Sequence, residues 1–476
     1  MNTSPTQSTS GAPAAGAPLT PKGSLPSIGL LAALIAGVLA LVAYLATPPV
    51  SPSKATSTSM KIQEITSKSG LKAWLVEEHS VPLMALRFAF DGGNTQDPAG
   101  KEGLANFITG MMDEGAGDLD ANKFQARVEE IAMRMSFEDG KDNLYGSFET
   151  LTENRTAAAA LLTLALNKPR FDADAVDRVR GQLMAGLVYA ARNPETVASK
   201  EFMALGFAGH AYGRPSNGTA ESLKSITGAD LEAYRKRIFA KDTLRIVIVG
   251  DITASDAGAL IDQVFGALPA KADLNSIAQV ALKSAEKLKI IEMDVPQSVA
   301  RFGLGAMMRK DRDFMAGFVL NHLIGGSGFS SRLMEEVREK RGLAYSVYSY
   351  LQPMQKSSIY AGGVATKNEE IGKSLDVIRA ELKRMAVDGP SEKELDNAKS
   401  NLTGSFALRF DTNAKIANQL LYFLGEGFPT SYVQTRNAEV EAVTLADVKR
   451  VAKTLFDNDD LFVVVVGKPK GLGPKS

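Results

Sequence analysis

The chain has no cysteine, one tryptophan and three histidines among 476 residues. Without thiols no thiolate can hold a metal, and the lack of cysteine suits an oxidising compartment. His79, His210 and His322 are too far apart in sequence for any two to share a helical turn. A catalytic zinc ordinarily takes three protein ligands and keeps a fourth position open, so these absences argue against a hydrolytic metal site on this chain alone. Net charge is missing as well. The 54 basic and 54 acidic residues cancel, which removes the field that would hold nucleic acid or an anionic membrane surface. With 45% hydrophobic and 23% charged residues, the chain is long enough for two or more globular units.

What is present begins with an apolar run. Ile28 to Ala46, IGLLAALIAGVLALVAYLA, carries no charged side chain and approaches the length of about 20 residues that crosses a bilayer. Residues 1–27 read as a disordered tail and 47–60 as a flexible linker, both rich in small and polar residues. The expected topology is one transmembrane anchor at 28–46, in the inner (plasma) membrane, with the globular part in the periplasm or otherwise outside the cytoplasm. A cleaved signal sequence is the competing reading; the long head, with Lys22 as its one charged side chain, and the lack of a small-x-small site near Tyr44 oppose it.

After the linker, strand and helix patterns alternate and the series runs twice. DLEAYRKRIFAKDTLRIVIVGDI, from Asp230 to Ile252, reads as helix, break and buried strand closed by a glycine; DVKRVAKTLFDNDDLFVVVVGKP, from Asp447 to Pro469, repeats it. FDADAVDRVRGQLMAGL from Phe171 matches PSEKELDNAKSNLTGSF from Pro390, where Ser391 and Glu394 form a capping box. In the first half Met84, Leu86, Phe88 and Phe90 alternate with Leu83, Ala85, Arg87 and Ala89, a strand pattern. These features predict an α+β fold of two homologous α/β-layer domains, 61–270 and 288–470, joined by a linker at 271–287 and followed by a short tail, 471–476.

Two stretches carry chemistry. GLANFITGM, Gly103 to Met111, has the outline of a zinc helix of the H-x-x-E-H type, in which two imidazoles and a carboxylate share one face. Asn106, Thr109 and Gly110 stand in those places, and an amide, a hydroxyl and a hydrogen atom supply neither ligand nor general base. In the second half, GGSGFSSRLMEEVREKRGLAYSVYSY follows Ile324. Ser330 and Ser331 are placed to cap a helix through Lys340, Gly342 to end it, and Tyr345, Val347 and Ser349 to share one face of the next strand. Arg338 and Tyr345 then come close enough to donate together to a peptide carbonyl or a developing oxyanion. On local chemistry alone, a solvated arginine and a packed tyrosine are the commoner explanation.

SSRLMEEVREKRGLAYSVYSY and GLANFITGM together make the chain resemble the pitrilysin/insulinase peptidase family, in its mitochondrial-processing-peptidase-like branch with two paired domains per chain. The resemblance spans about Ile62 to Pro469. It implies that Arg338 and Tyr345 fall on the family's substrate-gripping Arg/Tyr pair. It also aligns GLANFITGM with G-L-A-H-F-x-E-H-M, so that Asn106 and Gly110 replace two histidine ligands and Thr109 the catalytic glutamate. The third ligand, a glutamate, is expected around Gly186, and no acid occurs from Gly181 to Asn193. The segment Arg87 to Asn94 resembles the family's edge strand.

The resemblance therefore implies a zinc-less subunit with no catalytic residue, metal or cofactor of its own, zinc being expected on a homologous partner in a clamshell heterodimer that handles peptide substrates. A non-enzymatic scaffold, assembly or peptide-binding role on the same fold is the alternative. Asp113, Glu114, Asp118 and Asp120 read as a solvated loop, since their spacing lacks the ligand order of a calcium loop. The three histidines read as ordinary polar groups, and Trp74 and the Met111–Met112 pair as packing.

Overall fold

The first half supplies β1 (Gln63–Thr66), β2 (Lys72–Glu77), β3 (Leu83–Asp91), a two-residue ladder β4 (Gly115–Ala116) and β5 (Leu119–Asp120), then β6 (Arg134–Asp139), β7 (Asn143–Leu151) and β8 (Arg245–Gly250). All but the short ladder join one sheet in the order β1-β2-β8-β3-β7-β6. The second half supplies β9 (Leu288–Glu292), β10 (Gln297–Gly305), β11 (Ser346–Pro353), β12 (Ser358–Lys367) and β13 (Phe462–Gly467), in the order β11-β12-β10-β13-β9. The two orders superimpose: β2-β8-β3-β7-β6 matches β9-β13-β10-β12-β11. In each, only the β2–β8 or β9–β13 pair is parallel. This computed structural model describes residues 60–458 and 460–472. The expected tail, the 28–46 anchor and nearly all of the first linker lie outside the described residues. Among those described, no helix is long and apolar enough to cross a membrane. Residues 269–287, between the halves, contain no helix or strand.

The repeat seen in the sequence extends to local geometry. Helices Gly228–Ile238 and Leu445–Phe456 both start at capping boxes, Thr227 with Asp230 and Thr444 with Asp447, and each leads to the central strand β8 or β13. Each strand ends in a glycine with positive φ, Gly250 at 139° and Gly467 at 145°. A Cβ on Gly250 would lie 2.2 Å from the Leu83 carbonyl, and one on Gly467 would lie 2.8 Å from the Ser298 Cα. Only glycine tolerates both the dihedral and the approach.

Each sheet is covered by its own half on one face and by the other half on the opposite face. Met84, Leu86, Phe88 and Phe90 point into the first core, under helices Arg155–Asn167 and Ala254–Phe265. Val463 and Val465 do the same in the second, under helices Ile371–Val387 and Leu445–Phe456. On the reverse faces the halves exchange helices. Helix Pro194–Gly206 of the first half lies on β10 and β13, where Ala198, Phe202, Phe207 and Tyr212 pack with Ile359, Ala361, Phe462, Val464 and Val466. Phe202 stacks on Phe462 with ring centres 5.1 Å apart. Reciprocally, helix Asn413–Gly425 of the second half lies on β3 and β8, and Asn418 accepts a 2.7 Å hydrogen bond from Arg87 Nε. Ala85, Arg87 and Ala89 on that face are thus buried by the opposite half, while Leu83 at the strand's start stays exposed. An arginine can sit in this apolar strand because it pairs with Glu149 on the neighbouring strand and reaches Asn418.

The free sheet edges β6 and β11 are tied at their turns. Tyr212 donates to the Asp142 carboxylate (2.8 Å) beside β6 and accepts from the Lys356 amide (2.9 Å) after β11; the Gln355 amide donates to Asp142 as well (3.0 Å). The expectation that Arg87–Asn94 is an edge strand is corrected here. β3 is hydrogen-bonded on both sides, to β7 and β8, and the edge strands of that sheet are β1 and β6.

Candidate functional site

The vestigial zinc helix is Leu104–Thr109. Its first turn is held by Asp97, whose carboxylate accepts from the Gly103 and Ala105 amides at 2.9 Å each. Burial pushes that carboxyl up to about 7, against the pull of those two amides. Arg214 closes the same corner by donating to the carbonyls of Asp97 and Thr95. Asn106 Nδ2 donates to Asp139 Oδ1 at the end of β6, and Asn94 Nδ2 donates to the other oxygen, both at 3.0 Å. Thr109 Oγ1 donates to the Asn106 carbonyl at 2.7 Å. Gly110 ends the helix, and a Cβ there would meet Val179 at 3.3 Å. Gly186 sits on the exposed side of helix Ala173–Ala190 with no atom within 4 Å of a Cβ position.

These residues do not fit zinc. Where the metal chemistry needs free electron pairs, the structure has carboxamide donors already bonded to a carboxylate, a hydroxyl bonded to its own helix, and two bare glycines. Among the described residues no three of His, Cys, Asp and Glu come together as a metal site. His79 bonds Asp251 (2.6 Å), and His210 meets the Ala278 carbonyl (3.0 Å). His322 is half-buried, with its imidazole pushed down by burial. The acidic loop is engaged locally: Asp113 accepts from Gln125, Glu114 pairs with Arg178, and Asp120 caps helix Ala121–Glu130.

The second-half cluster is built differently. Residues Met334–Glu339 form a π-helical segment, wider than the α-helix expected from the sequence. Met334 and Val337 anchor it in the core. Its charged side is pinned by ion pairs: Arg332 to Glu381 (3.1 Å) and Glu394 (2.7 Å), and Glu336 to Lys340 (2.8 Å), Arg341 (2.6 Å) and Arg384 (3.2 Å). The Lys340 hydrogen bond, followed by Arg341, holds the Glu336 carboxyl down to about 2, and Arg332 does the same for Glu394, also to about 2. Gly342, at φ 60°, turns the chain out of the helix, with its amide on the Arg338 carbonyl at 2.8 Å.

Arg338 and Tyr345 are brought together by that turn. The Arg338 guanidinium lies over the Tyr345 ring at 5.0 Å and over the Phe329 ring at 4.6 Å, between two aromatic side chains. Tyr345 is 80% exposed and Phe329 70%. Arg338 Nη1 is buried and has no hydrogen-bond partner, while its Nε faces Glu339 at 3.5 Å. The expected common face of Tyr345, Val347 and Ser349 is corrected: β11 starts at Ser346, Val347 and Ser349 are buried, and Tyr345 precedes the strand and points to solvent. Alternation fails there because Ala344 is buried and the tyrosine ring is held outside by the guanidinium. Phe329 was not singled out in the sequence; a large aromatic beside flexible glycines, Gly325, Gly326 and Gly328, is the signal that marks it. Gly325 has a packing reason of its own, since a Cβ would sit 2.5 Å from the Ser349 amide. The arrangement presents an unpaired donor, an aromatic pair and an open strand edge, a combination suited to an extended peptide.

Comparison with known proteins agrees with this geometry. A family profile described as Insulinase (Peptidase family M16) matches residues 73–220, and one described as Peptidase M16 inactive domain matches 225–402. The non-peptidase homolog YmxG of Helicobacter pylori is 26% identical, over 83% of this chain and 91% of its own length. The mitochondrial-processing peptidase subunit beta of Lentinula edodes is 22% identical, over 80% of this chain and 84% of that subunit. The crystal structure of a peptidase M16 inactive domain from Pseudomonas fluorescens matches with a TM-score of 0.81 and 31% identity, covering 87% of this chain and all 100% of that one. The duplicated fold, these matches and the missing ligands lead to one conclusion: the chain belongs to the insulinase (pitrilysin) family of peptidases, as a zinc-less member.

Proposed function

We propose that this chain is the zinc-less subunit of a heteromeric zinc metallopeptidase and contributes substrate binding and transition-state contacts to the hydrolysis of peptides or unfolded segments. The observation that carries this reading is Arg338: a guanidinium fixed between two rings, with one nitrogen buried and unpaired. Leaving a buried donor unsatisfied costs about 1–3 kcal/mol, and a peptide oxygen admitted by displacement of the exposed Phe329 or Tyr345 ring would remove that cost. Zinc, its water and the general base would come from a homologous partner; this chain supplies Arg338, Tyr345 and the β11 edge. The apolar run 28–46 supports single-pass attachment to the inner membrane with the body in the periplasm, and resistance to alkaline extraction of the membranes would test it.

The alternative, a non-enzymatic scaffold or peptide-binding protein, is supported by the name of the Helicobacter pylori homologue. One experiment separates the two. The protein is recovered from its native membranes with any companion of equal amount, and Arg338→Ala is compared with the unaltered chain. Removing a positioned transition-state donor costs roughly 10²–10³ in turnover, so hydrolysis should fall by about that factor with assembly intact. Absence of a zinc-bearing companion, or unchanged hydrolysis in the variant, would leave the scaffold reading in possession.

A further inference from the structure

Away from the Arg338 cluster, the second half contains a cavity of about 590 Å³. Its walls include Arg309, Arg409, Lys415 and Arg436 together with six aromatic rings, and no carboxylate lines it. Arg436 is only 5% exposed. It stacks on Phe406 at 4.7 Å and Phe318 at 5.4 Å, and donates to the Leu402 carbonyl (2.8 Å) and Asn437 Oδ1 (3.0 Å). Arg309 stacks on Phe314 at 4.2 Å and Phe428 at 4.5 Å, donates to the Tyr432 hydroxyl, and leaves its buried Nε unpartnered. Among the described residues, Arg309, Arg409 and Arg436 have no carboxylate in an ion pair, and Lys415 is the one wall cation that does, with Asp411 at 2.7 Å.

A buried charge ordinarily needs an opposite charge, because the cost of desolvation is otherwise uncompensated. Here the compensation is mainly aromatic: Glu426 acts on Arg309 and Glu439 on Arg436 from outside the cavity lining and without an ion-pair contact, and the guanidiniums line the cavity with no carboxylate among its walls. We propose that this cavity binds a carboxylate carried on an aromatic or apolar body, with the rings enclosing the body and Arg309, Arg409 and Arg436 receiving the charge. Naming the occupant as part of a peptide rests on the peptide-handling function proposed above. In that case the carboxylate is an acidic side chain flanked by aromatic residues, or the C-terminus of the chain. The position fits an extended ligand: Asn418 and Tyr422 also line a neighbouring cavity of about 510 Å³, whose other wall includes Ser136 and Glu138 of the open edge strand β6.

The test is calorimetric titration of the full-length chain in detergent with acetylated tripeptides: Asp-Phe-Phe amide, Asn-Phe-Phe amide, and Asn-Phe-Phe with a free C-terminus. At least one carboxylate peptide should bind tenfold or more tightly than the all-amide peptide, and the one that does identifies the source of the charge. The double variant Arg409→Gln/Lys415→Gln, altered only at exposed side chains, should weaken that binding at least fivefold and reduce its salt dependence. Equal affinity for the three peptides, no binding by any of them, or a double variant that binds as tightly as the parent overturns the proposal. The assay needs neither zinc nor a partner chain, so its failure leaves the role of Arg338 in hydrolysis standing, and loss of the latter leaves the cavity to be judged on these titrations.

Discussion

At the scale of single residues, a buried carboxyl and an exposed ring make separable predictions. Asp97 has its carboxyl pushed up to about 7 from an ordinary 3.8 by burial. Between those values the folded chain holds a proton that the unfolded chain has released, so this residue's stabilising contribution is complete below about pH 4 and is lost as pH rises through about 7. Its share of the slope approaches ~1.4 kcal/mol per pH unit. Asp97→Asn keeps one carbonyl for the two amides of Gly103 and Ala105 and should lower stability by about 1–3 kcal/mol. It should also remove this slope, which urea midpoints measured from pH 4 to 8 would show; an unchanged slope would place the titration elsewhere. Phe329 acts through Arg338. Losing one face of the guanidinium's aromatic clamp forfeits about 0.5–1 kcal/mol. Phe329→Ala should therefore lower hydrolysis by the assembled complex several-fold, and Phe329→Tyr should restore it. A merely structural role would lower the urea midpoint of Phe329→Ala and leave turnover per folded molecule unchanged.

Elements show what could be read from sequence and what could not. Helix caps and strand ends were legible because they rest on chemistry local to a few residues: the Ser391–Glu394 box starts helix Glu392–Gly404, and Gly250 and Gly467 close their strands. The burial of Met84, Leu86, Phe88 and Phe90 followed from alternation alone. The identity of the edge strand did not, because β3 and β6 differ in their neighbours rather than in a local signature. The π-helical winding of Met334–Glu339 was equally hidden; the segment depends for its tether on the preceding Arg332, which pairs with Glu381 and Glu394, both distant in sequence. That dependence is testable. Arg332 and Glu381 are 15% and 4% exposed as side chains, and breaking a buried pair by removing one partner costs roughly 3–5 kcal/mol. Because Glu381 keeps Arg384 as a partner, Arg332→Ala should destabilise the chain by less than that, about 1–3 kcal/mol, and lower hydrolysis beyond the loss of folded protein, because the segment carrying Arg338 loses its tether. Acid should act in the same direction: the depressed carboxyls of Glu336 and Glu394 stabilise fully above about 4.5, and that stabilisation is lost as pH falls toward about 2.

The whole molecule is held together by the exchange of helices between its halves. Duplicated units with private cores are expected to fold separately, but here each sheet leaves one apolar face to the other unit. Phe202, Phe207 and Tyr212 are at most 2% exposed in their cluster with Phe462, Val464 and Val466, and each such ring is worth about 1.5–3 kcal/mol when buried. Without helix Pro194–Gly206 the second sheet would present those valines to water, and without helix Asn413–Gly425 the first would expose Arg87 and its neighbours. Residues 269–287 contribute no helix or strand, so continuity of the chain there matters less than the contacts on either side. Produced as two chains, 61–270 and 271–472, the halves should co-purify at equal amounts and retain most of the parent's helical signal. Either half alone should aggregate or bind a hydrophobic dye strongly. Phe202→Ala should weaken the two-chain association and cost about 3–5 kcal/mol in the intact chain. If each half instead folds alone to a soluble, cooperatively melting monomer, the exchanged helices are ornament to two independent cores, and the coupling of edge strands β6 and β11 through Asp142 and Tyr212 loses its mechanical basis.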